Sequence, residues 1–331
     1  MRGVAGADDA DARAYRGAGS DVGDDERYRS AEPDGRQSAF TERIMPTITN
    51  HYNLPAALVA AVTNDPYRGG GDISATKLID SPQRRVLGMR HVEAVSVDVS
   101  ERIWALLGQA VHNILERAGT DTLVEQRLFA EVEGWQLSGQ FDRLHLGEKT
   151  LSDYKVTSTY KAGGDEQWTR QLNILRWLAH KNGMEVEKLE IVAIFRDHRG
   201  SEARRNPDYP QQAAAVIPVP LWTLEDTEAF IRERVTAHQM AQNGVETPCT
   251  DEDRWYSGTT YALMKNGGKR ALKVTEDVTE LGTPTDDQHI VTRPGIYRRC
   301  ESHCDVSTFC SQWQQHLAQS GGQNAAIADP E

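Results

Sequence analysis

The sequence lacks an apolar run long enough to cross a bilayer, and it also lacks a glycine-rich phosphate-binding loop. A membrane-spanning helix needs about 20 mostly apolar residues in a row, so a membrane protein is excluded. The missing loop argues against an ATP-driven motor within this chain, which leaves a separate helicase or recombinase open as a partner. No apolar signal segment opens the sequence, and we therefore expect a cytoplasmic protein from a bacterium or a phage-infected cell.

The chain also lacks the positive net charge typical of many nucleic-acid-binding proteins. Its 37 Lys and Arg residues are outnumbered by 49 Asp and Glu residues, for a net charge of −12. The sum does not exclude DNA as a partner, because phosphate contacts need only a local basic groove. Two local groups of basic residues would serve as such a groove or lie on an ordinary solvated surface. They are Arg196, Arg199, Arg204 and Arg205, and then Lys265, Lys269, Arg270 and Lys273, the latter following Trp255, Tyr256 and Tyr261.

The order of apolar patterns predicts an α/β fold, with a mixed central β-sheet flanked by helices. Residues 123–132, 135–146, 150–156, 187–196 and 213–221 have the composition of strands, and 101–118, 165–181 and 223–243 have helical periodicity. We expect a disordered tail over 1–43, a core over 44–245, a cysteine-bound lobe over 246–316, and a second tail over 317–331. The first tail is rich in Gly, Asp and Arg and poor in large apolar residues, which disfavours a packed core.

Acidic and basic residues fall together on the predicted hairpin 135–156. Asp142 lies in Gly-Gln-Phe-Asp-Arg-Leu, and Asp153 and Lys155 form Asp-Tyr-Lys on the following strand. Side chains alternate along a strand, so Asp153 and Lys155 share one face. Two carboxylates there suit Mg²⁺ or Mn²⁺. The same pattern is also typical of an edge hairpin with solvated charges.

Two predicted helices carry further polar residues beside their apolar stripes. His112 follows the apolar face of 101–118, where it is either a core residue or a metal ligand. Gln171 adjoins the inner stripe of 165–181, which consists of Trp168, Leu172, Leu175 and Leu178. A buried glutamine usually makes structural hydrogen bonds; near a metal it would position phosphate or water.

Taken together, these segments resemble the PD-(D/E)XK nuclease superfamily, in its RecB-like branch. The resemblance spans roughly residues 72–313. It implies that His112, Asp142 and Asp153 bind the catalytic metal together with the Tyr154 carbonyl, that Lys155 is catalytic, and that Gln171 positions the substrate. The matching stretches are Ile73-Ser-Ala-Thr-Lys-Leu-Ile-Asp-Ser-Pro82, Gly108-Gln-Ala-Val-His112-Asn-Ile-Leu-Glu116, Gly139-Gln-Phe-Asp142, Asp153-Tyr-Lys155 and Gln171-Leu-Asn-Ile-Leu-Arg-Trp177. Leu175 stands where the family's glutamine motif often has tyrosine.

Three of the four cysteines form a C-x3-C-x5-C cluster, at Cys300, Cys304 and Cys310. Thiolates held this close together suit an iron–sulfur cluster or zinc. Disulfides are disfavoured in a cytoplasmic protein. Zinc bound by these three thiols and the fourth cysteine, Cys249, remains an alternative, as does zinc bound by the three thiols and His303.

The cysteines also resemble those of RecB-like nucleases that carry a [4Fe–4S] cluster, such as the CRISPR spacer-acquisition nuclease and the AddB subunit. Those proteins commonly take their first cysteine from before the core, where this chain has Ser81-Pro82-Gln83. Cys249 is therefore the fourth thiol that the resemblance implies. Phage-encoded exonucleases of this branch have a similar layout.

The sequence thus predicts a metal-dependent DNA exonuclease of recombination, repair or phage DNA processing. Two alternatives stay open: a catalytically idle nucleic-acid-binding subunit, and a structural or redox protein built on the cysteine cluster. The intact set of Asp142, Asp153 and Lys155 argues against the idle subunit, because a binding protein does not need it.

Overall fold

A computed structural model describes residues 46–64, 70–118 and 122–325 of the chain, with side chains up to 319. All of them belong to one unit, Phe40–Glu331. The tail predicted over 1–43 lies outside these residues. No helix in the described part of the chain combines the length and the apolar character needed to cross a bilayer.

The central sheet has six strands in the order β2-β5-β6-β7-β8, with β4 paired along nearly the whole of β5. Pairs β2–β5 and β6–β7 are parallel and the other pairs are antiparallel, so the sheet is mixed. This confirms the predicted fold class. The strands are β1 Thr47–Thr49, β2 Ile73–Ser74, β3 Ser96–Asp98, β4 Leu123–Val132, β5 Trp135–His145, β6 Thr150–Thr157, β7 Lys188–Phe195, β8 Ala214–Val219, β9 Thr260–Lys265, β10 Ala271–Thr275 and β11 Gln288–Arg293.

Helices lie beside this sheet and in the C-terminal part of the chain. They are α1 Ala56–Thr63, α2 Ala75–Leu78, α3 Pro82–Arg90, α4 Ile103–Glu116, α5 Glu166–Lys181, α6 Gly200–Ala203, α7 Leu224–Gln242, α8 Arg298–Ser302 and α9 Ser311–Ala325. Thr223 caps α7, since its hydroxyl accepts a hydrogen bond from the backbone of Asp226. Helix α9 continues into the stretch predicted as a C-terminal tail.

The hairpin β4–β5 turns at Glu133 and Gly134, and both residues have positive φ. Two left-handed residues match the right-handed twist of the flanking strands, which makes this turn type favourable in hairpins. The turn fixes the register, pairing Val132 with Trp135 and continuing to Leu123 opposite Leu144. The predicted hairpin of β5 and β6 is also present.

Helix α5 packs directly onto β5 through its predicted apolar stripe. Leu172, Leu175 and Leu178 are fully buried, and Trp168 is nearly so. A Cβ atom at Gly139 would lie 2.6 Å from both the Leu175 and the Leu178 side chains. Only glycine therefore permits this approach of helix to strand.

Helix α4 differs from its prediction in its surroundings. The sequence predicts an apolar face packed on the core, yet none of the residues of α4 is fully buried within the described part of the protein. Trp104 and Ile114 are 55% and 67% exposed. The helix lies on the sheet with little of its surface covered, so periodicity identified the helix but not its burial.

The C-terminal part of the protein contains a second sheet and the cysteine segment. Strands β10, β9 and β11 form a three-stranded antiparallel sheet. The following segment packs its apolar residues against α3 and against Val95, which lies just after that helix. The cluster also includes Leu87, Val306, Cys310 and Trp313. The predicted division into core and lobe stays a prediction.

Candidate metal centre

Adjacent strands bring the two predicted aspartates together. Arg143 of β5 pairs with Ser152 of β6 in an antiparallel ladder. Asp142 and Asp153 are the adjacent residues on the two strands, so they lie opposite each other. Asp142 is mostly buried, and its Oδ2 accepts a hydrogen bond of 2.6 Å from the backbone N–H of Tyr154. The position of the carboxylate is therefore fixed by the backbone of the opposite strand.

Asp153, Lys155 and Gln171 form a closed group beside Asp142. The Lys155 ammonium lies 2.8 Å from Asp153 Oδ2 and donates to Gln171 Oε1 at 3.2 Å. The Gln171 amide donates to Asp153 Oδ1, also at 3.2 Å. Helix α5 thus supplies the side chain that holds both charged residues of β6 in place.

Burial affects the two charged partners in opposite ways. Burial raises the pKa of Asp153 to about 6, against the attraction of Lys155, because the low-dielectric surroundings disfavour its charged form. Burial by itself lowers the pKa of Lys155, but the charges of Asp153 and Asp142 outweigh it and the net shift is upward. Lys155 is therefore an ammonium ion at neutral pH.

His112 reaches this group from α4. Its Nε2 lies 3.0 Å from the Tyr154 carbonyl oxygen, and its Nδ1 lies 3.4 Å from Asp142 Oδ1 and 3.7 Å from Glu125 Oε1. Hydrogen bonds to Asp142 and then Glu125 raise the pKa of His112 to about 10. In the metal-free protein the ring therefore holds a proton between carboxylates, where a cation would otherwise balance their charge.

Glu125 is a site residue that the sequence analysis missed. It faces Asp142 in the β4–β5 register, but the ladder is interrupted there and Glu125 has φ +50°. Left-handed backbone is costly for a residue other than glycine and is concentrated at functional sites. Gln140 donates to Glu125 Oε2 at 2.5 Å, and Arg127 donates in turn to Gln140 at 2.6 Å. The turn at Glu133 and Gly134 sets this register, so the hairpin pairing was the signal that could have identified Glu125.

A compact set of ligand atoms results. One ligand atom each from His112, Glu125 and Asp142 lies within 4.8 Å of the other two, which makes this group able to hold a metal ion. Imidazole with two carboxylates suits a divalent cation such as Mn²⁺. Asp153 is not part of this three-residue set, because its carboxylate contacts Lys155 and Gln171.

The four cysteines line one small cavity near α3, and all four are free thiols. Cys310 is buried and the others are half-buried. Cys249 Sγ lies 3.0 Å from the hydroxyl of Ser81, and burial raises the pKa of Cys249 to about 11. The structure thus brings Cys249 to the C-x3-C-x5-C cluster. His303 is exposed and is not among the residues that line the cavity.

Comparison with known proteins gives only distant similarity. No family model and no curated protein matches the sequence. The structure is similar to that of SSO0001, with a TM-score of 0.42 and 21% identity, over 60% of this chain and 90% of that one.

Two further solved structures are named as exonucleases. A candidate exonuclease from Eubacterium rectale has a TM-score of 0.30 and 14% identity over 56% of this chain and 65% of its own. A phage-related exonuclease from Haemophilus somnus 129PT has a TM-score of 0.27 and 14% identity over 56% and 78% of the two chains. Similarities with TM-scores this far below 0.5 do not establish a shared activity.

Proposed function

We propose that this protein is a divalent-metal-dependent nuclease that hydrolyses phosphodiester bonds of DNA from an end. The observation that carries the proposal is the position of the Lys155 ammonium, 2.8 Å from Asp153 and next to the metal-ligand group. A structural salt bridge does not require a histidine and two more carboxylates around it. A cation site with a fixed positive charge beside it can stabilise the charge that develops during phosphate hydrolysis.

The residues present fit a Mg²⁺ or Mn²⁺ ion. His112, Asp142 and Asp153, with the Tyr154 carbonyl, are the predicted ligands. The proposal adds Glu125, because one ligand atom each of His112, Glu125 and Asp142 lies within 4.8 Å of the other two. When bound, such an ion supplies polarisation of the phosphate and a lowered pKa for its water ligand. The proton on His112 must leave when imidazole becomes a ligand, so metal affinity depends on pH.

Lys155 acts in this proposal as a fixed positive charge. The charges of Asp153 and Asp142 raise its pKa, which favours the protonated form. It can stabilise the charge that develops on phosphate and hold the attacking water by donating a hydrogen bond. Gln171 contacts Asp153 and Lys155, so its geometry supports a role in positioning these two residues.

The test is a cleavage assay on linear and circular DNA with and without Mn²⁺. Wild-type protein should degrade end-labelled linear DNA only with the metal and should leave covalently closed circles intact. Asp153→Ala and Lys155→Ala should each lower cleavage at least a hundredfold while the protein stays folded. Lys149→Ala is the matched control, because Lys149 directly precedes the same strand and, among the residues that the structure describes, forms ion pairs with Glu185 and Glu187 alone. Full cleavage by Lys155→Ala would exclude this site.

We further propose that the cysteine cavity holds a [4Fe–4S] cluster. Arg254 lines the same cavity, is 7% exposed, and has two buried N–H groups, at Nε and Nη2, without a hydrogen-bond partner. A buried guanidinium left in this state indicates an anionic occupant, which four thiolates around a metal centre would supply.

The spacing of the sulfur atoms does not match that of a tetrahedral zinc site. No three of the cysteine sulfurs, all in the described part of the chain, gather within 4.8 Å of one another. Tetrahedral zinc with Zn–S bonds of about 2.3 Å would bring them to roughly 3.8 Å. Protein purified without oxygen should be brown and contain about four irons per chain; colourless protein with one zinc would overturn the cluster and leave the nuclease proposal standing.

A further inference from the structure

An exposed aromatic and basic rim adjoins the metal-ligand group on the side of α4. It consists of Trp104, Tyr160, Lys161 and Arg196, and we refer to it as the Trp104 rim. Trp104 is 55% exposed and Tyr160 is 79% exposed. Large aromatic side chains this exposed, gathered beside a candidate active site, indicate a binding surface more than chance exposure.

The rim is continuous with the metal centre along α4. Trp104, Gly108 and His112 occupy positions i, i+4 and i+8, which form one ridge of a helix. The rise of the helix places Trp104 about 12 Å along the axis from His112. No atom lies within 4 Å of where a Cβ of Gly108 would be, so the surface between the two residues is open.

The other members of the rim come from the ends of β6 and β7. The Arg196 guanidinium lies 4.3 Å from the centre of the Trp104 ring. The Arg196 backbone donates to Thr157, and Asp197 binds Ser158 and Thr159, which directly precede Tyr160. These two parallel strands therefore deliver Arg196 and Tyr160 to the same edge of the sheet, beyond Lys155.

The charge of the rim suits a phosphate backbone. Arg196 makes no ion pair with any residue that the structure describes, so its charge is available to a ligand while its stack on Trp104 holds both side chains in place. Lys161, by contrast, pairs with the Asp165 carboxylate and lies 6.0 Å from the Tyr160 ring, so Arg196 is the cation on which the rim relies. Cations interleaved with exposed aromatic rings are the arrangement that binds single-stranded nucleic acid, because bases stack on the rings and phosphates pair with the cations.

We propose that the Trp104 rim binds single-stranded DNA by base stacking and guides that strand over Gly108 to the metal centre. This inference rests on the proposed nuclease function and specifies its substrate as an unpaired strand. In a duplex both faces of every internal base are already stacked and cannot engage Trp104. A duplex would therefore bind only through its phosphates or through a frayed end.

The experiment separates stacking from cleavage by measuring binding without a divalent metal. Fluorescence anisotropy with EDTA compares a thymidine oligonucleotide with one of equal length that carries abasic sites but keeps every phosphate. Wild-type protein should bind the thymidine form about tenfold more tightly, and Trp104→Ala should lose that difference. Trp104→Phe should retain most of it, because phenylalanine also stacks.

Trp255→Ala is the matched control. Trp255 is 48% exposed and has Arg299 stacked 5.4 Å from its ring, but it lies in the cysteine-containing part of the chain. It should keep the preference for bases. The inference is overturned if wild type does not distinguish the two oligonucleotides, if Trp104→Ala still does, or if the preference depends on Trp255 instead.

The two proposals fail in different ways. If binding depends on bases and on Trp104 but the protein never cleaves DNA, the proposal that the Trp104 rim binds single strands is supported and the nuclease proposal is excluded. If the protein cleaves DNA with metal but its binding does not depend on bases, the nuclease proposal is supported and the proposal for the Trp104 rim is excluded.

Discussion

Single residues set the charge balance of the metal centre. Glu125 and Asp142 lie beside His112, and Asp153 pairs with the ammonium of Lys155. In the metal-free protein His112 offsets part of this negative charge by holding a proton, which is why its pKa is raised to about 10. A divalent ion replaces that proton, so the same residues that attract the proton also attract the metal.

Loss of a ligand should therefore appear as a greater demand for metal. We expect Glu125→Gln and His112→Ala each to raise the Mn²⁺ concentration for half-maximal cleavage by roughly tenfold or more, because each removes one donor from the set. The measurement is cleavage rate against Mn²⁺ concentration, beside a melting curve. Glu131→Gln, an exposed glutamate on the same strand, should change neither. A His112→Ala variant with lower stability but normal metal dependence would make His112 a core residue.

Contact between Ser81 and Cys249 gives a second prediction at this scale. The two side chains are 3.0 Å apart, so a cysteine at position 81 would place its sulfur close to that of Cys249. Cys249→Ser should lose bound iron, and adding Ser81→Cys to that variant should restore it, read as iron per chain and visible absorbance. Ser74→Cys, at a position whose hydroxyl contacts the Lys77 backbone instead of a cysteine, should not restore it. Unchanged iron in Cys249→Ser would remove this residue from the ligand set.

At the level of elements, the site depends on how closely α5 approaches β5. Gln171 reaches Asp153 and Lys155 only because the helix lies against the sheet over Gly139, where a methyl group has no room. The position of the helix thus links core packing to the geometry of the charged residues on β6.

Gly139→Ala should accordingly destabilise the protein by about 1–3 kcal/mol, since the added Cβ meets Leu175 and Leu178 at 2.6 Å. Chemical denaturation measures this loss. Gly147→Ala, in the turn between β5 and β6 with nothing within 4 Å of its Cβ, is the control and should stay within about 0.5 kcal/mol of wild type. Equal stability of the two variants would mean that the helix can shift without cost. Lower cleavage by Gly139→Ala would further indicate that Gln171 has moved.

Over the whole molecule, packing of α7 on α2 makes stability depend on pH. His238 of α7 is fully buried and its Nε2 lies 3.1 Å from the Leu78 carbonyl oxygen. Burial lowers the pKa of His238 from 6.5 to about 4. At a pH between these two pKa values, His238 binds a proton in the unfolded chain but not in the folded protein. The free energy of unfolding therefore falls as the pH falls from about 6.5 to 4.

The loss should reach about 3 kcal/mol at the acidic end of this window. The expected result is a melting temperature that declines more steeply for wild type than for His238→Gln, whose side chain does not titrate. The difference between the two proteins isolates His238 from Asp153, whose raised pKa acts in the opposite direction. Parallel pH profiles would show that His238 accepts its proton without unfolding.

The sequence alone determined the elements and the residues that local patterns mark. Alternation located the strands around Asp142 and Asp153, helical periodicity located α4, α5 and α7, and spacing marked three cysteines. These features depend on neighbours within a few residues, because side chains that share a face recur at fixed intervals. They sufficed for the fold class, whereas one site containing His112, Asp142, Asp153, Lys155 and Gln171 was what the resemblance to a nuclease superfamily implied.

Only the tertiary structure decided which distant groups meet. Glu125 joins His112 because a left-handed backbone turns it toward another element, and Ser81 meets Cys249 across 168 positions. The exposure of Trp104 likewise follows from how little of α4 is covered. Such contacts depend on the register of strands and the packing of helices, which many residues determine together, so no local pattern in the sequence records them.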